Sequence, residues 1–375
     1  MKLVKRTKVS DWNTQGEYSS QSFPSVAVTP MGRIVVSWRS ARKKDSVIEQ
    51  CVLLSWSDDA GITWSKPQAC FTPPALEGRP GCFRSGQLSA MNGQLLMHLA
   101  WIDCSHPERP FFNEENSGLL DCKIFLSESV DEGESWSKPR LLDTSPFSAQ
   151  PTPITGPVLA FPDGELISQF ELNKPYDSPE PWRHLPVLNF SRDGGASFYR
   201  HAIPAQCPDN HTFYWDQRPI ILKDGNSIVD FFWTWDNVRG VYHNISMAFS
   251  TDRGRSWRPL HDTGISGQPG QPVEFSNGAL LLPLVDRTEE PRIMARLTYD
   301  RGQSFTEECL ELSNRQSQCL AARQETLIGA WNEMTNFSLG LPAGIGSGRD
   351  TAYVVWYAGM HTDRTDIEFA EVSLE

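Results

Sequence analysis

Long apolar runs are missing from this chain: no stretch approaches the roughly 18 residues that a membrane-spanning helix requires. Basic excess is missing too. The 46 acidic residues outnumber the 34 lysines and arginines, giving a formal net charge of −12, which argues against nucleic acid and anionic bilayers as partners, since both demand basic patches. The eight cysteines, at positions 51, 70, 82, 104, 122, 207, 309 and 319, include no C-x-x-C pair and no zinc-type spacing. No metal and no other cofactor is therefore expected. The opening MKLVKRTKVSDWN carries basic residues but no apolar run of signal-peptide length, so the expectation is a cytoplasmic protein with reduced thiols. Linkers and low-complexity segments are also lacking, and residues 1–375 read as one domain.

What the sequence does have is repetition and aromatics, with 13 tryptophans in 375 residues. Five segments follow Ser/Thr-x-Asp-x-Gly-x-Ser/Thr-Trp/Phe: Ser57 to Trp64, Ser129 to Trp136, Ser191 to Phe198, Ser250 to Trp257 and Thr298 to Phe305. Each residue type has a mechanical reason. The aspartate accepts from amides of its own tight turn, glycine supplies a positive φ, the hydroxyls tie the turn's ends and the aromatic tucks between sheets. These aspartates (59, 131, 193, 252 and 300) read as structural.

The flanks repeat as well. A short strand is followed by a turn such as Pro30-Met31-Gly32, Met91-Asn92-Gly93, Pro162-Asp163-Gly164, Lys223-Asp224-Gly225 or Ser276-Asn277-Gly278, then by an apolar strand, then by the strand that enters the motif, then by a fourth. Four antiparallel strands per unit are the content of one propeller blade. Units begin near residues 22, 82, 153, 215 and 268, and a sixth, without the motif, runs from Leu339 toward the C-terminus. The fold expected is all-β, a six-bladed propeller of four-stranded blades, with the N-terminal KLVKRTKVS as the missing strand of the last blade. Residues 314–337 fit no blade; they read as an irregular insertion or, on a seven-bladed alternative, as a degenerate unit.

With these motifs the chain resembles the sialidase (neuraminidase) superfamily, whose six-bladed propellers carry such Asp boxes (BNR repeats). The resemblance implies a glycosidase site over the central channel. It also shows departures. Where the family has Arg-Ile-Pro, opening a triad of arginines that grips the substrate carboxylate, this chain has Ser22-Phe23-Pro24. Arg42 falls on an arginine of the family, Asp45 lies a few residues from its acid/base aspartate, and Arg218 stands where its glutamate would. No residue matches the second or third arginine of the triad.

In a propeller the ligand site lies over the channel, lined by the inner strands and the ends of the second strands. Those positions nominate Asp45, Asp216 and Glu171 as catalytic carboxylates and Arg39, Arg42, Arg84, Asp103, Arg218, Trp235, Gln271 and Arg287 as substrate contacts. Arginines fork onto carboxylates, indoles stack on sugar C–H faces, and a carboxylate pair performs general acid and base work. Two classes of function follow: a sialidase-like hydrolase acting on a terminal, acidic sugar, or a propeller that binds a glycan or protein loop without chemistry. A third, a lyase or isomerase on uronic sugars, would use His211 or Tyr214 as base. Histidines 184, 211 and 243 have no metal spacing and read by default as surface or satisfied core residues. Oligomeric state is not encoded in any of these signals.

Overall fold

The computed structural model describes residues 1–288, 290–313, 326–348 and 350–375. Six antiparallel sheets follow one another around a central axis. Blade 1 runs Ser20–Val28, Ile34–Ala41, Gln50–Ser57 and Gln68–Ala69, from the channel outward. Blade 2 repeats the order with Gly81–Met91, Gln94–Asp103, Cys122–Ser129 and Arg140–Leu141, and blade 3 with Leu159–Ala160, Leu166–Leu172, Leu185–Ser191 and Arg200–Ala202. Blade 4 comprises Thr212–Ile221, Ile228–Asp236, Ser246–Ser250 and His261–Asp262, with the short Val241–Tyr242 paired beside its second strand. In blade 5 the inner strand is split into Gln268–Pro269 and Val273–Glu274, followed by Leu280–Asp286, Arg292–Thr298 and Cys309–Ser313. Blade 6 has Leu339–Gly346, Thr351–His361 and Arg364–Ser373, and its outermost strand is Lys2–Ser10, paired antiparallel with Arg364–Ser373.

The second and third strands are the most apolar because sheets cover them on both faces. One buried cluster fills each blade interface: Phe83 and Leu99 between blades 1 and 2, Leu126 and Phe170 between 2 and 3, Phe190 and Ile228 between 3 and 4. Phe231 and Leu282 sit between 4 and 5, Val285 and Trp356 between 5 and 6, and Trp38 and Phe369 between 6 and 1. Burial at roughly 25 cal/mol per Å² of apolar surface makes this ring of cores the main stabilising term.

The Asp boxes form the hairpins between third and fourth strands of blades 1 to 5. In the second, Asp131 Oδ1 accepts from the Ser135 amide at 2.9 Å and from Ser129 Oγ at 2.8 Å, while Gly133 N–H donates to Ser129 Oγ at 2.9 Å. The Ser135 hydroxyl and amide pull the Asp131 carboxyl down to about 2, and Ser197 does the same for Asp193. Each box also docks on the preceding blade. Gly61 has φ +84°, and a Cβ there would meet the Phe369 ring at 2.5 Å, so both backbone angle and close approach require glycine. Polar latches repeat the contact: Thr7 Oγ donates to Gly61 O (2.8 Å), Arg140 to Gly195 O (2.8 Å) and Arg200 to Arg253 O (2.6 Å), with His261 Nε2 2.8 Å from Gln303 O.

Of the segment expected to be an irregular insertion, residues 314–325 lie outside the described residues. The rest holds an α-helix, Leu327–Thr335, whose N-cap Thr326 accepts from Gly329 N–H. The sequence signal was present: an N-capping threonine before Leu327, Ile328, Trp331 and Met334, at helical spacing.

Candidate functional site

Each inner strand is the edge of its sheet, so the irregularities that would break a central strand are tolerated there. They occur at the mouth end of every blade. The ladder slips between Ser22 and Ser25, Phe83 and Ser85, Trp215 and Arg218, and Gly340 and Ala343. Blade 5 is interrupted between Pro269 and Val273, and blade 3 reaches its inner strand through the proline-rich residues 151–157. Three of the slips hold non-glycine residues at positive φ: Phe23 (55°), Asp216 (51°) and Leu341 (47°). Such backbone costs on the order of 1–3 kcal/mol per residue and clusters at functional sites. Here it turns side chains that would pack between blades toward the axis.

The result is a cavity of about 380 Å³ over the channel. The helix Leu327–Thr335 roofs it. Trp331 stacks on Phe112 of the blade 2 loop at 4.5 Å and lies 6.2 Å from Trp182. At the other end Lys44, from blade 1, donates to the carbonyls of Met334 and Phe337, a favourable place for a cation beside a helix C-terminus.

Seven of the eleven residues nominated from sequence line this chamber: Asp45, Arg84, Glu171, Asp216, Arg218, Gln271 and Arg287. Arg84 donates one bond, to Ser46 O at 3.3 Å, and its guanidinium lies over the Phe111 ring at 4.2 Å. It sits deep enough for burial to pull it down to about 10, yet its side chain is only partly covered, because the surface it shows faces the chamber. Arg287 is held by Gln268 Oε1 (2.6 Å) and Leu339 O (2.8 Å) over the Phe337 ring, and burial lowers it as well. Neither forms an ion pair among the described residues. Arg218 donates to Thr155 O and approaches Asp216 Oδ1 at 3.6 Å. Gln268 Nε2 donates to Asp216 Oδ2, and the Asp216 amide donates to Glu171 Oε1. Gln271 spans blades 4 and 5 through Pro219 O (2.7 Å).

Four nominated residues do not reach the chamber. Arg39 is fully buried and donates to Gln50 Oε1 and to the carbonyls of Lys43, Lys44 and Ser46; it shapes the loop that presents Lys44 and Asp45. Arg42 points outward, paired with Glu49 at 3.0 Å. Asp103 pairs with Arg79 at 2.8 Å and borders a separate cavity of about 790 Å³ on the flank of blade 2. Trp235 is fully buried against Trp215 and Tyr242, with no face for a sugar. Ser22 is buried as well. Neither His211 nor Tyr214 lines the chamber, which removes the lyase reading's base.

The sequence reading missed Lys44, Phe23, Phe111, Gln268, Trp331 and Tyr357, all in the chamber wall. It also took His184 for a surface or satisfied histidine. Its side chain is wholly buried, and neither ring nitrogen finds a hydrogen-bond partner among the described residues. Asp230 is likewise buried beneath Arg218, and burial pushes its carboxyl well up.

Residues 111–267 match the model of the BNR repeat-like domain. No curated protein matches the chain. Among solved structures, a protein of unknown function from Dyadobacter fermentans is similar over 100% of this chain and 99% of its own, with 17% identity and a TM-score of 0.77. A Hadza microbial sialidase matches over 98% of this chain and 68% of its own, at 13% identity and TM-score 0.67. The Trypanosoma rangeli sialidase matches at 12% identity and TM-score 0.61, the chain spanning 55% of its length. The chain is a six-bladed Asp-box propeller with the sialidase-like fold.

Proposed function

We propose that this protein is a glycoside hydrolase that accepts one terminal, acidic sugar in the roofed chamber. The observation that carries the reading is the composition of that chamber: Arg84, Arg218 and Arg287 share it with Asp45, Glu171 and Asp216. Among the described residues Arg84 and Arg287 form no ion pair, and guanidinium groups facing a chamber favour an anionic ligand. The chamber's volume is near the lower end of the roughly 300–1,000 Å³ typical of ligand pockets, which suits one ring rather than a chain segment. Asp216, facing Arg218 and accepting from Gln268, is the carboxylate placed to act as base or nucleophile. Glu171, fixed on one oxygen by the Asp216 amide and partly open to the chamber, is the second carboxyl and takes the role of the acid that protonates the leaving oxygen. The solved sialidases of the same fold support a sugar ligand.

A second reading, a propeller that holds an acidic glycan without cleaving it, is favoured by Asp216 itself, both of whose oxygens already face protein donors. The deciding experiment is a screen of fluorogenic exo-glycosides, sialoside and uronides included, with Asp216→Asn alongside. Turnover abolished in the variant supports the hydrolase. Absence of turnover combined with calorimetric binding of the free sugar acid supports the binder.

A further inference from the structure

His184 is an anomaly that the hydrolase reading does not absorb. It precedes the third strand of blade 3, directly behind Glu171, whose register partner is Pro186. Its side chain has no solvent exposure, while that of Glu171 retains 13% toward the chamber. The ring is walled by Trp182, edge-on at 5.5 Å, and by Phe213 at 5.7 Å. A buried imidazole without a hydrogen bond carries a desolvation cost, and such groups call for an explanation. Nε2 lies 3.4 Å from Glu171 Oε2, close but not aligned for a bond.

We propose that Glu171 and His184 form a linked proton-holding pair in the chamber wall, with Glu171 the catalytic residue that passes its proton to the substrate and His184 the positioning residue that receives the resulting carboxylate. This rests on the hydrolase reading. In the step, the Glu171 proton goes to the glycosidic oxygen as the bond to the anomeric carbon breaks. Oε2 then carries charge and takes the Nε2–H of His184 as its hydrogen bond. When water supplies hydroxide to the anomeric carbon, its remaining proton returns to Glu171. Oε1 stays fixed throughout by the Asp216 amide, so only Oε2 changes partner. The arrangement stores an unmade hydrogen bond in the resting state and makes it when charge develops, which is differential stabilisation of the later state. The charged and titratable groups around the pair are Asp216, Arg218 and Asp230 from blade 4 and, beyond Asp216, Arg287 from blade 5.

The test is the titration of the His184 ring resonances by NMR in the whole protein, wild type against Glu171→Gln, with the pH–rate profile measured beside it. In a linked pair the two groups titrate together, so the His184 midpoint differs between wild type and Glu171→Gln. An unmoved midpoint overturns the proposal, even in an active hydrolase. For the rate, His184→Phe should slow turnover about tenfold or more and displace the limb of the profile assigned to Glu171, with His184→Asn, which keeps a donor, recovering part of it. A profile unchanged in His184→Phe also overturns the proposal. If no glycoside is turned over but the midpoints are linked, the hydrolase reading falls and the linked pair stands.

Discussion

The Asp-box face and the mouth face end the same strands in opposite ways. On the first, five hairpins repeat one set of bonds: a carboxylate takes an amide and two hydroxyls, and a glycine amide closes the turn, as in Asp59 and Asp300 alike. On the second, no two inner strands carry the same residues. Positive φ falls on Phe23, Asp216 and Leu341, each at a different ladder slip, whereas in the boxes it recurs at one position, as at Ala60, Glu132, Arg253 and Arg301; among the described residues the His184 ring makes no hydrogen bond. Repeated bonds hold the ring, while the inner-strand ends over the chamber depart from the repeat. The lesson is where to look for chemistry in a repeat protein: at the positions where the repeat is not kept.

If that division is right, variants on the two faces separate cleanly. The largest expected effect is on turnover. Asp216→Asn should lower kcat on an acidic exo-glycoside by about 10²–10⁴-fold with the thermal midpoint unchanged within a few degrees. A large drop in midpoint with it would place Asp216 on the structural side. Arg84→Ala should weaken binding of the free sugar acid by about 30-fold or more, the lower bound for truncating a buried charged contact, as calorimetry reads. Among the described residues Arg84 forms no ion pair and donates one bond, to Ser46 O, so its removal should move the thermal midpoint by no more than a few degrees.

On the opposite face the order reverses. Gly61→Ala forces a Cβ into the Phe369 ring at φ +84° and should cost about 1–3 kcal/mol in urea unfolding without altering KM. Asp131→Asn tests the electrostatics of a box. The folded carboxyl lies at about 2, below an ordinary aspartate near about 3.9. Its stabilisation is therefore fully present above about pH 4 and lost as pH falls through about 2. Denaturant midpoints of variant and wild type should differ at pH 6 and converge near pH 2; a constant difference would sink the assignment. Least of all, Arg42→Ala removes an exposed ion pair and should leave both the denaturant midpoint and turnover unchanged within error. Lost activity there would restore Arg42 to the site.

The same division explains what was legible in the sequence. The five motifs and five turn dipeptides gave blade number and strand order because every repeat reports the same geometry. Of the residues that inner-strand position nominated, Arg84, Asp216, Arg218 and Gln271 line the chamber and Ser22 is buried away from it. Second-strand ends were less informative, since the side of the sheet on which a residue emerges depends on strand twist and bulges. That is why Trp235 turned inward among Trp215 and Tyr242 while Arg287, in the same role one blade on, reached the chamber. Residues brought in by connections, Phe111 and Trp331 above all, had no repeat to mark them. His184 was invisible for another reason. Burial without a partner is a property of three elements meeting, and no single segment encodes it.

The outermost strand of blade 6 also sets a time order. Trp12 N–H donates to Asp366 at 2.9 Å across 354 residues of chain, beside the pairing of Lys2–Ser10 with Arg364–Ser373. During synthesis the first of these segments must wait for the last. Five blades can condense from neighbouring strands, but the circle shuts only when the two ends meet, a contact of very high sequence separation and correspondingly slow formation. Once shut, it is also the seam at which the circle must part for the molecule to unroll. Resistance to forced unfolding is then shared between this pairing and the bonds of Ser20 and Gln21 with Thr362 and Thr365, which hold blade 1 to blade 6 at the same seam.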